Sequence, residues 1–183
     1  MASRTRPRVQ TGLEVLARSR PKWLRGKRIG LLMHPASVTS DFISARQIVS
    51  KLYGRKLTAL FGPQHGFGGE KQDNMVESPH GYDTELMIPV FSLYSETRKP
   101  TATMLEHLDV LLVDLQDVGC RVYTFEWTTA LALEACAAAG KEVVILDRPS
   151  RVVRVGCQGR VGLCSLRSMV SGPDALPLAR LRS

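Results

Sequence analysis

Two short apolar runs constrain this chain more than anything else in it. Val110-Leu111-Leu112-Val113 lies between Asp109 and Asp114, and Val143-Val144-Ile145-Leu146 lies between Glu142 and Asp147. Each is too short for a buried helix and has no polar alternation, so each suits a strand covered on both faces. Lys27 to Met33 and Leu57 to Phe61 read the same way, and Ile88-Pro89-Val90-Phe91 is a weaker strand whose proline suits an edge or a strand start. Helical patterns fall between the runs. Gly12 to Arg18 forms a short leading helix. Ser40 or Asp41 caps a second helix running to Tyr53, with Phe42, Ala45, Ile48, Val49 and Leu52 on one stripe. Thr101 to His107, capped by Thr101, is a third, and Thr124 to Ala139, stopped by Gly140, is a fourth. Strands alternating with helices predict βαβ crossovers and a mostly parallel sheet. The fold class expected is α/β: a Rossmann-like three-layer domain, followed by an irregular tail.

Composition agrees with a folded chain: 44% of residues are hydrophobic and 23% charged. The net charge of +8 is unevenly placed. Residues 1–28 hold nine Lys and Arg against one Glu, and residues 149–183 hold six Arg against one Asp. The segment between them holds ten basic and fifteen acidic residues. Nucleic-acid binding needs a basic face on a folded element, so no nucleic-acid partner is expected. No apolar stretch approaches the ~18 residues of a membrane span, and no secretory signal is visible, which leaves the compartment open. Cys120, Cys136, Cys157 and Cys164 form neither CxxC nor a zinc spacing, and read as core or bystander thiols.

The expected organisation is a basic N-terminal segment with a short helix at 1–24, a Rossmann-like domain at 25–149, and a divergent, disordered tail at 150–183. In an open parallel sheet, ligands bind outside the carboxyl ends of the strands. There the sequence gathers His34-Pro35-Ala36-Ser37, then Gly62 to Glu70, then Ser92-Leu93-Tyr94, then Asp114 to Thr124, then Asp147-Arg148-Pro149. The segment from Gly62 to Glu85 reads as one long loop carrying His65, Glu70, Asp73, Glu77 and His80. Its carboxyl groups suit general acid or base work, and a solvated loop fits the same residues. Gly66-Phe67-Gly68-Gly69 is no dinucleotide fingerprint, and no Walker A motif occurs, so no cofactor is expected. His34, His65 and His80 lack HxH or HExxH spacing, so no metal is expected. His107 reads as a surface or packing residue. Asp114, Asp117 and Arg121 fit a structural ion-pair cluster as well as a site.

Four motifs resemble one family, in order and at fitting spacings. They are Phe61-Gly62-Pro63-Gln64-His65-Gly66; Ser92-Leu93-Tyr94 with Thr97 to Thr101; Asp114-Leu115-Gln116-Asp117-Val118-Gly119 with Arg121 and Tyr123-Thr124; and Leu146-Asp147-Arg148-Pro149. Over residues 9–149 they resemble the N-terminal domain of the DUF1343 family, the exo-β-N-acetylmuramidases of the NamZ type. The resemblance implies a glycoside hydrolase of peptidoglycan turnover that releases N-acetylmuramic acid from non-reducing ends, with its cleft between a Rossmann-like domain and a smaller C-terminal one. Many members are exported. The expected partner is a peptidoglycan-derived muramic acid sugar. The resemblance implies Glu70 and Glu77 as candidate acids with His65 as an orienting group. Gln64 and Asp117 would line the site, and Tyr94 and Tyr123 would stack on the sugar. Arg121 or Arg148 would grip the lactyl carboxylate.

The chain departs from the family pattern in three places. Gln64 stands where many members have Glu, and an amide cannot exchange a proton as a carboxyl does. Ser150-Arg151-Val152 follows the DRP motif in place of Asn-Pro-x-Gly-Gly. The second domain is missing, and an Arg/Ser/Gly-rich tail takes its place, which leads us to expect a frameshifted or truncated product. A truncated, inactive remnant that at most binds a sugar is therefore the alternative to an active glycosidase.

Overall fold

A computed structural model describes residues 10–69, 77–116, 124–148 and the main chain of 178–181. Chain order among these is α1 (Gly12–Ser19), β1 (Ile29–Met33), α2 (Ala45–Tyr53), β2 (Leu57–Gly62), β3 (Gly81–Asp83), β4 (Ile88–Ser92), α3 (Ala102–Leu105), β5 (Val110–Asp114), α4 (Phe125–Ala138), β6 (Glu142–Leu146) and β7 (Leu178–Leu181). The strands form one sheet in the order β3-β4-β2-β1-β5-β6-β7. The inner five run parallel, while β3 pairs antiparallel with β4 and β7 antiparallel with β6. The mostly parallel α/β fold is the one the apolar runs predict.

Both faces of the sheet are covered. Along β1, Ile29, Leu31 and Met33 join one core with Leu13 and Leu16 of α1 and Val49 of α2. Leu32, pointing the other way, joins a second core with Leu105 of α3 and Ala132 and Cys136 of α4. The period of two along each strand distributes its residues between these cores, and every residue of β1 and β5 is buried. α1 is seated tightly on the sheet. The Gly12 amide donates to the Asp147 carbonyl at 2.7 Å, and a Cβ on Gly12 would lie 2.5 Å from main-chain atoms of Leu146 and Asp147.

Three local readings need correction. The second helix does not start at Ser40 or Asp41. Residues 38–44 fold back instead, with Val38 bridged to Ser44 and the Thr39 amide donating to the Ile43 carbonyl at 3.0 Å. The Thr39 hydroxyl accepts from the amides of Asp41 and Ile43, and such side-chain bonds compete with helix formation. Ser44 is the cap, in a reciprocal box with Gln47, and Phe42 stands exposed at φ 60° rather than on the helix stripe. The 62–85 connection is not one unbroken loop, because it contains β3. That strand has no apolar alternation to announce it. Arg46 holds it in place by gripping Asp83 at 2.5 and 2.7 Å. Finally, β4 is covered by β3 and is not an edge. Pro89 sits at its second residue, near the strand start.

α4 ends as its sequence predicts. Gly140 takes φ 63°, its amide donates to Ala137, and the Lys141 amide donates to Cys136, closing the helix with both bonds of a Schellman motif. No helix among the described residues is long and apolar enough to cross a membrane. Of the tail read as disordered, residues 150–177 and 182–183 lie outside the described residues, as do residues 1–9 of the basic segment. Residues 178–181 lie along β6, with Val143 opposite Leu181 and Leu146 opposite Leu178.

Candidate functional site at the carboxyl ends of the strands

The sheet order reverses at its centre. From β1 the chain moves outward through β2 and β4, then returns to the other side of β1 for β5 and β6. Outward-diverging connections leave a crevice beyond the carboxyl ends of β1 and β5, the usual place for a ligand. Segments from four strands and one helix meet there.

The turn after β2 is shaped by its glycines. His65 and Gly66 both take left-handed backbone, at φ 78° and 82°. A Cβ on Gly62 would come within 3.0 Å of the Phe67 main chain, so the loop can fold tightly back only over a glycine. This turn delivers Gln64 to the start of α4. Gln64 is buried, and its Oε1 accepts from the Thr124 hydroxyl at 2.7 Å. That bond uses the Thr124 hydroxyl, which makes no capping bond to α4. It also fixes the amide orientation, leaving the Gln64 NH2 as a donor.

His34 leaves β1 at the crevice. Its Nδ1 accepts from the Ala36 amide at 3.2 Å, and its ring lies 5.0 Å from that of Phe125. Burial holds the His34 imidazole below its ordinary pKa, and the charge of the nearby His65 adds to the effect. The Ser37 hydroxyl braces the same turn. It accepts from the His34 amide at 3.0 Å and donates to the Asp114 carbonyl at the end of β5.

The Asp114 carboxylate is fully buried and gripped by Arg148, Nε to Oδ1 at 2.5 Å and Nη2 to Oδ2 at 2.8 Å. Nη1 of Arg148 donates to the Val38 carbonyl at 2.9 Å. Burial pushes the Asp114 carboxyl up, against the opposing pull of Arg148. The pair ties β5, the end of β6 and the 38–44 turn together. Asp117 and Arg121, expected in a cluster with Asp114, lie outside the described residues.

A second group surrounds the end of β4. His80 Nδ1 accepts from the Ser92 amide at 2.9 Å, and its Nε2 meets Glu96 at 2.8 Å. The Ser78 amide donates to the Tyr94 carbonyl at 2.9 Å. Arg98 lies over the Tyr94 ring at 3.7 Å and reaches Glu77 at 3.6 Å. One face of Tyr94 is thus occupied by a guanidinium. Glu77 is largely solvent-exposed.

Of the residues named from sequence, Gln64 and His65 are placed at the crevice, and Arg148 borders it from within its ion pair. Glu77 and Tyr94 sit together at the end of β4. Glu70, Asp117, Arg121 and Tyr123 lie outside the described residues. Among the described residues no three His, Cys, Asp or Glu side chains group as metal ligands would. His107, whose ring is 5.4 Å from that of Phe91, packs as expected. Sequence reasoning weighed His34 only as a metal ligand, and gave the hydroxyls of Ser37 and Thr124 no role. The signal for His34 was its position as the first residue beyond the central strand.

Comparison with known proteins gives a consistent set of relatives. The family model described as exo-beta-N-acetylmuramidase NamZ, N-terminal, matches residues 29–179. The chain is 43% identical over 145 residues to the peptidoglycan beta-N-acetylmuramidase NamZ of Bacillus subtilis (strain 168), covering 79% of this chain and 35% of that protein. It resembles two crystal structures of DUF1343 family proteins from Bacteroides fragilis NCTC 9343. One superposes with a TM-score of 0.69 at 42% identity, over 79% of this chain and 35% of the other. The second gives 0.60 at 27% identity, over 77% and 35%. The chain therefore spans about a third of the length of these relatives.

Proposed function

Since this chain belongs to the NamZ family through its N-terminal domain, we propose that it forms the Rossmann-like wall of a glycosidase that releases N-acetylmuramic acid from the non-reducing ends of peptidoglycan fragments. The observation that carries this reading is the family match at 43% identity to a peptidoglycan β-N-acetylmuramidase, over the same residues that converge on the crevice. The domain division at 24/25 and 149/150 belongs to this proposal.

Cleaving a glycosidic bond requires a proton on the leaving oxygen and stabilisation of the positive charge that develops on the sugar ring. Gln64 cannot supply the proton. Its role is to hold a donor amide in the crevice, oriented by Thr124. The proton falls to Glu70 or Glu77, with His65 orienting the acid or the sugar. Glu77 lies 3.6 Å from Arg98 at the end of β4, largely open to solvent and so within reach of a bound sugar. Tyr94 offers the face not covered by Arg98 to a sugar ring, while Asp117, Arg121 and Tyr123 complete the substrate contacts. Arg148 contributes by fixing the crevice wall through Asp114.

A chromogenic muramic acid glycoside tests the reading directly. Purified chain should release the chromophore, and Glu70→Gln or Glu77→Gln should lower kcat by at least about a hundredfold if that residue is the acid. Full activity in both variants removes the two from the acid role. No release by the unaltered chain, with release by a full-length relative under the same conditions, overturns the activity proposed for this polypeptide.

A further inference from the structure

We infer that His34 reads the lactyl carboxylate of muramic acid, donating to it from Nε2. The inference rests on the reading above that the crevice takes a muramic acid sugar. It deepens that reading by naming the group that separates muramic acid from glucosamine, which lacks the lactyl ether and its charge.

Position comes first. His34 is the first residue beyond β1, at the point where the sheet order reverses. Its orientation is fixed by its neighbours. The Ala36 amide donates to Nδ1 at 3.2 Å, so the neutral ring must carry its proton on Nε2. Phe125 packs against the ring at 5.0 Å, and Ser37 pins the turn by bonds to the His34 main chain at 2.7 and 3.0 Å. A pre-set donor results, and none of the described residues accepts from it. A donor held this way loses little freedom on binding.

The protonation state fits a neutral donor. Burial, and after it the nearby His65, hold the His34 imidazole below its ordinary pKa, so the neutral ring protonated on Nε2 is the form that meets the carboxylate. The Gln64 NH2, oriented by Thr124, adds a neutral donor at the same crevice. Of the two arginines that the resemblance offers for this carboxylate, Arg121 lies outside the described residues, and Arg148 has its two parallel donors on Asp114 and a third on Val38.

Calorimetric titration of the 183-residue chain with N-acetylmuramic acid and with N-acetylglucosamine tests the assignment. The unaltered chain should prefer the muramic sugar. His34→Ala and His34→Asn should each weaken that sugar by about tenfold or more, the worth of a hydrogen bond to a charged group, and leave glucosamine binding unchanged. His34→Gln, whose amide N–H can occupy the place of Nε2, should stay within about threefold of the unaltered chain. Nitrogen NMR of the unaltered protein gives a readout independent of variant folding: the Nε2-protonated form should dominate, and its signal should move with the muramic sugar and not with glucosamine. Unchanged muramic acid binding in His34→Ala overturns the inference, as does an equal loss for both sugars or an Nε2 signal that does not move. If the unaltered chain binds neither sugar, the crevice reading falls, and this inference with it. A muramic sugar bound normally by His34→Ala leaves the crevice reading standing alone.

Discussion

Asp114 and Arg148 are 34 positions apart in sequence, and their charged groups meet where side-chain exposure is 0% and 6%. A buried pair of this kind adds little net stability over apolar residues of the same shape, but losing one partner strands the other charge in the interior. Asp114→Asn should therefore destabilise the fold by about 3–5 kcal/mol in urea unfolding. Combining Asp114→Asn with Arg148→Met should recover a large part of that loss, because no unpaired charge then remains. If the single and double variants unfold at the same midpoint, the pair is not acting as a buried charge pair. The chain's Asp114 and Arg148 were both visible in sequence, each at a strand end. Their pairing was not, since Arg121 is a nearer candidate in sequence for Asp114, and only the parallel registry of β5 and β6 brings Arg148 to it.

Local chemistry fixes the ends of the helices. The Ser44 hydroxyl accepts from the Gln47 amide, and the Gln47 side chain accepts from the Ser44 amide at 3.2 Å. Ser44→Ala removes one half of this box and should cost about 1 kcal/mol, while Ser40→Ala and Asp41→Ala should leave α2 unaffected. Melting the three variants side by side decides which residue is the cap. At the other end of the scale of tolerance, Gly12→Ala places a methyl against main chain that cannot swing aside. It should cost about 1–3 kcal/mol by overpacking and should loosen α1 from β6, despite alanine's better helix propensity. Faster amide exchange across Leu13 to Leu16 would report the loosening. Equal or greater stability in Gly12→Ala would mean that α1 is not seated as tightly as its contact with Asp147 requires.

Acid stability belongs to the whole molecule, because the groups that set it join distant segments. Arg46 holds the Asp83 carboxyl below its ordinary range, helped by the Leu86 and Glu85 amides, and Arg28 does the same for Asp109. Glu96 is drawn down to about 2, first by Ser95. A carboxyl depressed in the folded state is deprotonated there more readily than in the unfolded chain. Its stabilisation is therefore complete above the unfolded pKa of about 4 and is lost as pH falls through the folded value. Urea midpoints should fall gently below about pH 6.5, where the unfolded chain protonates His34 more readily than the folded one, and then steeply below about pH 4. Asp83→Asn should lower stability near neutrality and flatten part of the acid limb, since Asp83 is nearly buried. Asp109, more exposed, should contribute less. An acid limb of unchanged slope in Asp83→Asn would rule out this account.

The sequence by itself determined the five parallel strands, their order along the chain with the helices, the α/β class and the family, because each of these is written in short-range pattern. An apolar run of four or five residues can be satisfied only by cover on both faces, and Thr101 or Gly140 specifies a helix end within one turn. It also placed Gln64 and His65 beside the crevice, since strand ends locate a site once the topology is known. Tertiary structure alone decided the rest. β3 exists because Arg46, far along the chain, grips Asp83, and nothing in Gly81-Tyr82-Asp83 foretells a strand. α2 begins at Ser44 because Thr39 captures the amides that an earlier helix start would need. Gln64 turns its oxygen to Thr124, His34 fixes its tautomer on Ala36, and Arg148 is committed to Asp114. For β3, Gln64 and Arg148 the deciding partner lies 34 or more residues away, so the energies that settle these choices do not exist until the sheet has formed; Ala36 and Thr39 act within four residues, on a turn that Ser37 and Arg148 hold to the sheet.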